Sequence, residues 1–339
     1  MKRLVALIGL TVAALLTTSF SGHGGAKPGD GPDTVLDVAT SATERPAGTL
    51  VLVFRSNRLT AIDVASGRRT VRRVPAVAAC GPELHVTGGH VIFAGVRGRR
   101  TLVFSAPVAL DEPPKRLGAA HAFVPSATEG RVWLAGTNCR RRAMVGLREV
   151  TVDGRVTFES RRRVPGTWLE GAVDGGLVIM RRRALAVWDP RTRRTGPRLP
   201  LAGAADSHRS RLIGCARHAR CRRLLILDAG TGRRVEARPE SPYRLDLGAE
   251  FSPDGRLVAT PAVAGRRWSV ALVDARDGST MIVPGSRTGA RYPVLSWSAS
   301  SGWLFIRAGD RILAYRPGAA RAVTLCVRLP RQSIAFMAG

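Results

Sequence analysis

The sequence has almost no lysine. Lys2, Lys27 and Lys115 are the whole complement, so nearly all of its positive charge is arginine. Carboxylates are scarce too, 25 against 53 basic residues, which leaves a formal charge of +28 over 339 residues. Such a charge invites a nucleic-acid partner, but aromatic residues are only 5% of the chain and none interleave the arginine clusters as base-stacking platforms require. The arginine excess has two competing sources. One is the codon bias of a GC-rich genome, which would also raise Ala, Gly, Val and Pro. The other is selection for a polyanionic partner, since the guanidinium fork pairs bidentately with carboxylate and phosphate.

Long apolar runs are also missing. The single candidate, Leu4 to Leu16, is short for a membrane span. It follows Lys2 and Arg3 and leads to Ser19-Phe20-Ser21, so residues 1–21 read as a signal peptide cleaved after Ser21. A retained N-terminal anchor is the other reading, and the only route to membrane contact. No cysteine lies near the cleavage site, so a lipoprotein anchor has no support. Residues 22–48, rich in Gly, Pro, Asp and Thr, read as a flexible linker, and residues 49–339 as the folded domain.

Catalytic motifs are absent as well: there is no Gly-x-Ser-x-Gly elbow, P-loop or Gly-x-Gly-x-x-Gly turn. The carboxylates fall mostly at turns, where Asp caps the backbone. His85 and His90 are an odd number of residues apart, so a regular strand would turn them to opposite faces and no metal pair is expected. Neither a metal nor a cofactor is anticipated.

What the sequence does contain is a repeat. From Ala249 to Gly285, Glu250-Phe251-Ser252 is followed by the reversal Pro253-Asp254-Gly255-Arg256, an apolar run Leu257 to Val263, a third run Ser269 to Asp274, the turn Ala275-Arg276-Asp277-Gly278, and a fourth run Thr280 to Val283. Four short strands joined by turns make one antiparallel meander, with strands A to D. Val294–Ser298, Trp303–Ile306, Ile312–Tyr315 and Ala322–Leu325 repeat it. The C strand and its turn can be followed backward at Leu224–Asp228, Leu185–Asp189 and Leu59–Asp63, and more faintly at Met144–Asp153 and Thr101–Ser105. Turns about 36 to 47 residues apart match four-stranded propeller blades.

Phe251-Ser252-Pro253-Asp254-Gly255-Arg256 resembles the aromatic-Ser-Pro-Asp-Gly-basic turn of TolB-type propeller repeats, also called PD40 repeats, and Ser296-Trp297-Ser298 with Gly302 resembles a worn copy. Val187-Trp188-Asp189 resembles the Trp-Asp ending of WD40 repeats. The resemblance implies a propeller that serves in binding and assembly, with no catalytic residues to carry over.

The expected fold is therefore all-β, a single β-propeller of seven four-stranded blades, six or eight also fitting the faint turns of blades two and three. Thr49–Phe54 has no first strand before it, and Ser333–Met337 is a spare strand after the last blade. The C-terminal strand is expected to join blade one and close the ring. The six tryptophans read as blade packing.

Cys215 ends a B strand and Cys221 precedes the next C strand, so they are the first disulfide candidate; Cys80 and Cys139 are the second, and Cys326 is left over. The B–C loops should gather on one rim. They hold Arg97, Arg99 and Arg100; Arg140, Arg141 and Arg142; Arg181, Arg182 and Arg183; Arg217, Arg220 and Arg222; and Arg266 with Arg267. The opposite rim carries Arg191, Arg193, Arg194, Arg233 and Arg234, which blurs the contrast. The function that follows is a monomeric, noncatalytic, extracytoplasmic propeller binding a protein or an anionic polymer of the cell envelope. The alternative is a hydrolase or lyase acting on carbohydrate or lactone in the channel, which would need inward carboxylates or His that the sequence pattern does not assemble.

Overall fold

The computed structural model describes residues 46, 50–78, 84–138, 143–181, 184–216, 223–289, 291–325 and 334–338. These lie in one unit, Thr40–Gly339. They form strands and turns, with no helix among the described residues. The strands make seven antiparallel sheets, five of four strands and two whose inner strand is split in two. The chain forms a seven-bladed β-propeller, one of the three blade counts the repeats allowed.

The inner strands of blades 2 to 7 are Leu84–Thr87, Ala122–Pro125, Trp168–Val173, Gly203–His208, Glu250–Phe251 and Val294–Trp297. Blade 1 takes its inner strand from the other end of the chain. Ile334–Ala338 pairs antiparallel with Leu50–Arg55, from Leu50 opposite Ala338 to Phe54 opposite Ile334. The ring closes as expected, and consecutive inner strands touch all the way round.

The period-2 pattern explains how the core is divided. Alternate residues of a strand face opposite sides of its sheet, so each blade contributes to two separate layers. Leu52 and Phe54 pack towards Phe93 and Phe104 of blade 2, while Val53 between them joins Phe305 and Ile312 of blade 7. Every pair of neighbouring blades shares one such apolar cluster, seven in all, including the layer between blade 7 and blade 1.

The turns are equally regular. At the C–D turns of blades 1, 4, 5 and 6, an Asp ends the C strand and its side chain accepts from a backbone N–H two or three residues on: Ser66 to Asp63, Arg191 to Asp189, Thr231 to Asp228, Arg276 to Asp274. The Ser66 and Thr192 hydroxyls, with these backbone N–H groups behind them, hold the Asp63 and Asp189 carboxyls below their ordinary range, and for Asp228 the Thr231 N–H does so first. The fifth residue is left-handed, and there Gly67, Gly232 and Gly278 are interchangeable with Arg193, at φ 62°. The A–B turns of blades 6 and 7 also match. Ser252 N–H donates to Leu257 and its hydroxyl accepts from Leu257 N–H; Ser298 and Trp303 do the same. In this geometry Ser301 (φ 60°), and not Gly302, is the counterpart of Gly255 (φ 68°).

The split inner strand of blade 6 has a local cause. Pro261 faces it and has no N–H to donate. Its carbonyl accepts from Asp246 N–H at 2.9 Å, and the buried Thr260 hydroxyl supplies the missing donor, bonding Asp246 O at 2.9 Å. Arg244–Leu245 and Glu250–Phe251 are the two halves on either side.

Candidate functional site

A four-stranded meander puts its A–B and C–D turns at one end and its B–C turn at the other, and the chain leaves strand D for the next blade at the B–C end. The structure places Arg97, Arg99, Arg100, Arg181, Arg266 and Arg267 at B–C ends, all exposed. It adds Arg55, Arg58 and Arg311, three exposed arginines at the B–C ends of blades 1 and 7 that the loop assignment had passed over. None of these nine pairs with a described carboxylate; the ion pairs among described residues are made by Arg131, Arg191, Arg223 and Arg291. Arg140, Arg141, Arg142, Arg182, Arg183, Arg217, Arg220 and Arg222 lie outside the described residues, as do Cys80, Cys139, Cys221 and Cys326. Cys215 ends the B strand of blade 5 and is 1% exposed.

The blurred contrast between the rims sharpens once carboxylates are placed. Asp63, Asp153, Asp189, Asp228, Asp254, Asp274 and Asp277 all sit at A–B or C–D turns, beside the arginines of that rim. In the described B–C loops the sole carboxylate is Asp310, which Arg291 already holds at 3.3 Å. Glu240 is the one carboxylate in the described D-to-A connections. Arginine is spread over both rims, but carboxylates crowd the A–B and C–D turns, while on the B–C rim the two ion pairs among the described residues, Arg223 with Glu236 and Arg291 with Asp310, leave the nine arginines above unneutralised.

The inner strands hold a second feature. Asp206, in the inner strand of blade 5, accepts from Ser207 N–H at 2.7 Å on Oδ1 and from Phe251 N–H at 2.7 Å on Oδ2, so it stitches blade 5 to blade 6. Burial pushes its carboxyl up to about 6, and these two hydrogen bonds with the charge of His85 only partly offset that. Glu250 stands beside Phe251. Burial and the neighbouring Asp206 charge raise its carboxyl well above the usual range, and its Oε2 is covered with no hydrogen-bond partner. Glu170 is on the inner strand of blade 4, and the His85 ring lies edge-on to Phe123 at 5.4 Å on the channel side of blade 2. An inward group of acids with a histidine is what the sequence pattern did not assemble. The readable signal was a carboxylate inside an inner strand; Glu149, Glu159 and Glu236 also lie in strands, but in the C and D strands of their blades.

His85 and His90 also need correction. They stand on successive strands of a hairpin, with His85 opposite Ile92 and Thr87 opposite His90. Cross-strand partners share a face, so the two histidines face the same way and the alternation argument does not apply. His90 is engaged locally, its Nδ1 2.9 Å from Gly88 O. Among the described residues no cluster of three or more His, Cys, Asp or Glu is arranged to hold a metal.

No family model matches the chain, and no curated protein does. Several solved structures are similar in fold. TolB from Acinetobacter baumannii is 10% identical at a TM-score of 0.48, over 86% of this chain and 67% of that one. Apo AztD from Citrobacter koseri is 10% identical at 0.48, over 85% and 97%. A chain of a crystal structure of the Mitotic Checkpoint Complex is 12% identical at 0.49, over 79% and 86%. At such identities the likeness is one of fold, and the site has to be argued from its own residues.

Proposed function

We propose that this protein is an exported, noncatalytic propeller whose B–C rim holds an anionic polymer or an acidic protein surface of the cell envelope. The observation that carries this reading is the rim: nine exposed arginines, none paired with a described carboxylate, against a single carboxylate in the described B–C loops, Asp310, that is already paired. Like charges held on a rigid ring cannot relax by moving apart, so the ring keeps a positive potential that an anionic partner relieves. Replacing Arg97, Arg99, Arg100, Arg181, Arg182 and Arg183 with Ser should weaken binding of a polyanion at low salt by about tenfold or more and flatten its salt dependence. Unchanged affinity and slope would discard the rim.

Export rests on Lys2, Arg3 and the apolar run that follows them, with cleavage after Ser21. An oxidising compartment suits a Cys215–Cys221 disulfide, and a bonded Cys215 sulfur supports it. The intact mass of the protein recovered outside the cytoplasm, before and after reduction, checks both. An uncleaved chain or an unchanged mass on reduction would remove the corresponding claim.

A second reading, a channel hydrolase or lyase acting on carbohydrate or lactone, draws support from Asp206 and Glu250. Two neighbouring carboxyls, each with its proton affinity raised by burial, are the kind of pair acid–base chemistry uses. Turnover of such a substrate that disappears in Glu250→Gln would favour it; its absence in the wild-type chain would end it.

A further inference from the structure

On the arginine-rich rim, blade 6 carries a recess of about 410 Å³. One wall is the end of its B–C hairpin, with Ala264 and Arg267. The other is the chain leaving strand D, from Ile282 to Arg287, and the Tyr243 ring closes a side. The volume lies at the lower end of the range for small-molecule sites and suits one sugar-sized ligand.

The recess is built rather than left over. The connection from blade 6 to blade 7 is zipped to the hairpin by Trp268 N–H to Gly289 O at 2.7 Å and Thr288 N–H to Trp268 O at 2.9 Å, and Ala322 N–H of blade 7 bonds Pro284 O at 2.7 Å. Trp268 packs edge-on against Tyr292 behind it, at 4.8 Å. Two serines are buried in the lining. Ser286, 1% exposed, is engaged, accepting from Val270 N–H at 3.0 Å. Ser269, 5% exposed, has no hydrogen-bond partner among the described residues, yet lines the recess. Its oxygen is not sealed in as the Ser105 hydroxyl is, so solvent meets it through the recess and a ligand hydroxyl can take that water's place. At the mouth, Arg267 and Arg287 are exposed, and neither pairs with a described carboxylate. Ile282, Val283 and Pro284 offer an apolar wall between these polar groups.

We propose that this recess binds an anionic sugar unit, with Arg267 and Arg287 clamping its carboxylate or phosphate, Ser269 meeting a ring hydroxyl, and the apolar wall taking the C–H face of the ring. The chemistry is that of an oxyanion on a hydroxylated ring. It deepens the rim reading, on which it rests for the sign of the ligand. Guanidinium pairs select for an oxyanion, and a hydroxyl in the lining favours a ligand that replaces its hydrogen bond to water.

Calorimetric titration of the full chain with glucuronate, glucose 6-phosphate, glucose and inorganic phosphate tests this. One or both anionic sugars should bind saturably at one site, about tenfold or more tighter than glucose or phosphate alone. Whichever anionic sugar binds identifies the source of the charge. Arg267→Ser with Arg287→Ser should weaken it at least tenfold, Ser269→Ala severalfold, and Arg97→Ser with Arg99→Ser and Arg100→Ser not at all. All the substituted arginines are exposed, and the melting temperature of each variant controls for folding. No saturable binding, or binding unaltered in the double variant, overturns the recess while leaving polymer capture by the rim standing. Polymer capture that survives the rim variants, with saturable sugar binding intact, overturns the rim instead.

Discussion

A chain lacking residues 332–339 should lose on the order of 5 kcal/mol of stability and melt on the order of 10 °C lower, the net worth of a whole inner strand at a few tenths to one and a half kcal/mol per hydrogen bond plus its apolar burial. The segment removed includes Ile334–Ala338, whose five register pairs with Leu50–Phe54 are, among the described residues, the sheet contact holding the last residues to the first blade. What remains is worse than a shorter protein. Leu50–Arg55 becomes an open strand edge at the centre of the ring, a template for pairing with a second molecule. The apolar layer between blades 7 and 1, where Val53 and Ile62 meet Phe305 and Ile312, then depends on side-chain packing alone. The truncated chain should therefore also associate with itself at concentrations where the full chain stays monomeric. A scanning melt with light scattering reads both effects, and a truncated chain that melts with the full one would mean that the closing strand contributes nothing.

That closing strand was legible because it was a leftover. Counting strands in units of four leaves Thr49–Phe54 short of a partner and Ser333–Met337 with nowhere to go, and topology supplies the rest. Blade 6 was legible because Pro253, Asp254 and Gly255 each do one job at a tight reversal, and the C–D turns because an Asp at the end of a strand accepts from the backbone just ahead of it. Blade 4 shows the limit of that logic: Arg193 takes the left-handed position that glycine fills in blades 1, 5 and 6, so a residue pattern built on glycine passes over it. The split inner strand of blade 6 was hidden because it follows from one missing N–H on a neighbouring strand, a cause about fifteen residues away in sequence. The site was less legible than the fold. The arginines were countable, but the asymmetry that matters is where carboxylates are not, and that needs every turn assigned to a rim. Asp206 and Glu250 are 44 positions apart, and their side chains meet only because blades 5 and 6 are adjacent.

The same acids make the second large prediction, because the protein should be less stable at neutral pH than at pH 4.5 over the window they control. A carboxyl whose folded-state affinity for protons is raised contributes its full stability below the unfolded value and loses it as pH climbs through the folded one. For Asp206 that loss runs from about 4 to about 6 and amounts to on the order of 3 kcal/mol. For Glu250 it continues higher, since burial and the Asp206 charge act together. The turn aspartates Asp63, Asp189 and Asp228 work in the opposite sense, but their carboxyls are lowered, so their contribution is lost only in stronger acid. His208, held below its ordinary value by burial and by Arg211 and Arg209, opposes the trend up to about 6.5. The clean readout is therefore a difference between variants. Glu250→Gln removes the buried charge and keeps the shape, so it should stabilise the protein at pH 7.5 and flatten the pH dependence. Asp206→Asn should not, although it also removes a charge. Both Asp206 oxygens accept from backbone N–H groups, and an amide would set its own NH₂ against one of them, at a cost of about 1–3 kcal/mol for the unmet donor. Chemical denaturation of the two variants from pH 4.5 to 7.5 separates the roles, one acid dispensable to the fold and available to a ligand in the channel, the other binding two blades together. Equal behaviour of the two substitutions at every pH would mean that neither burial nor the bridge between blades 5 and 6 sets these groups apart.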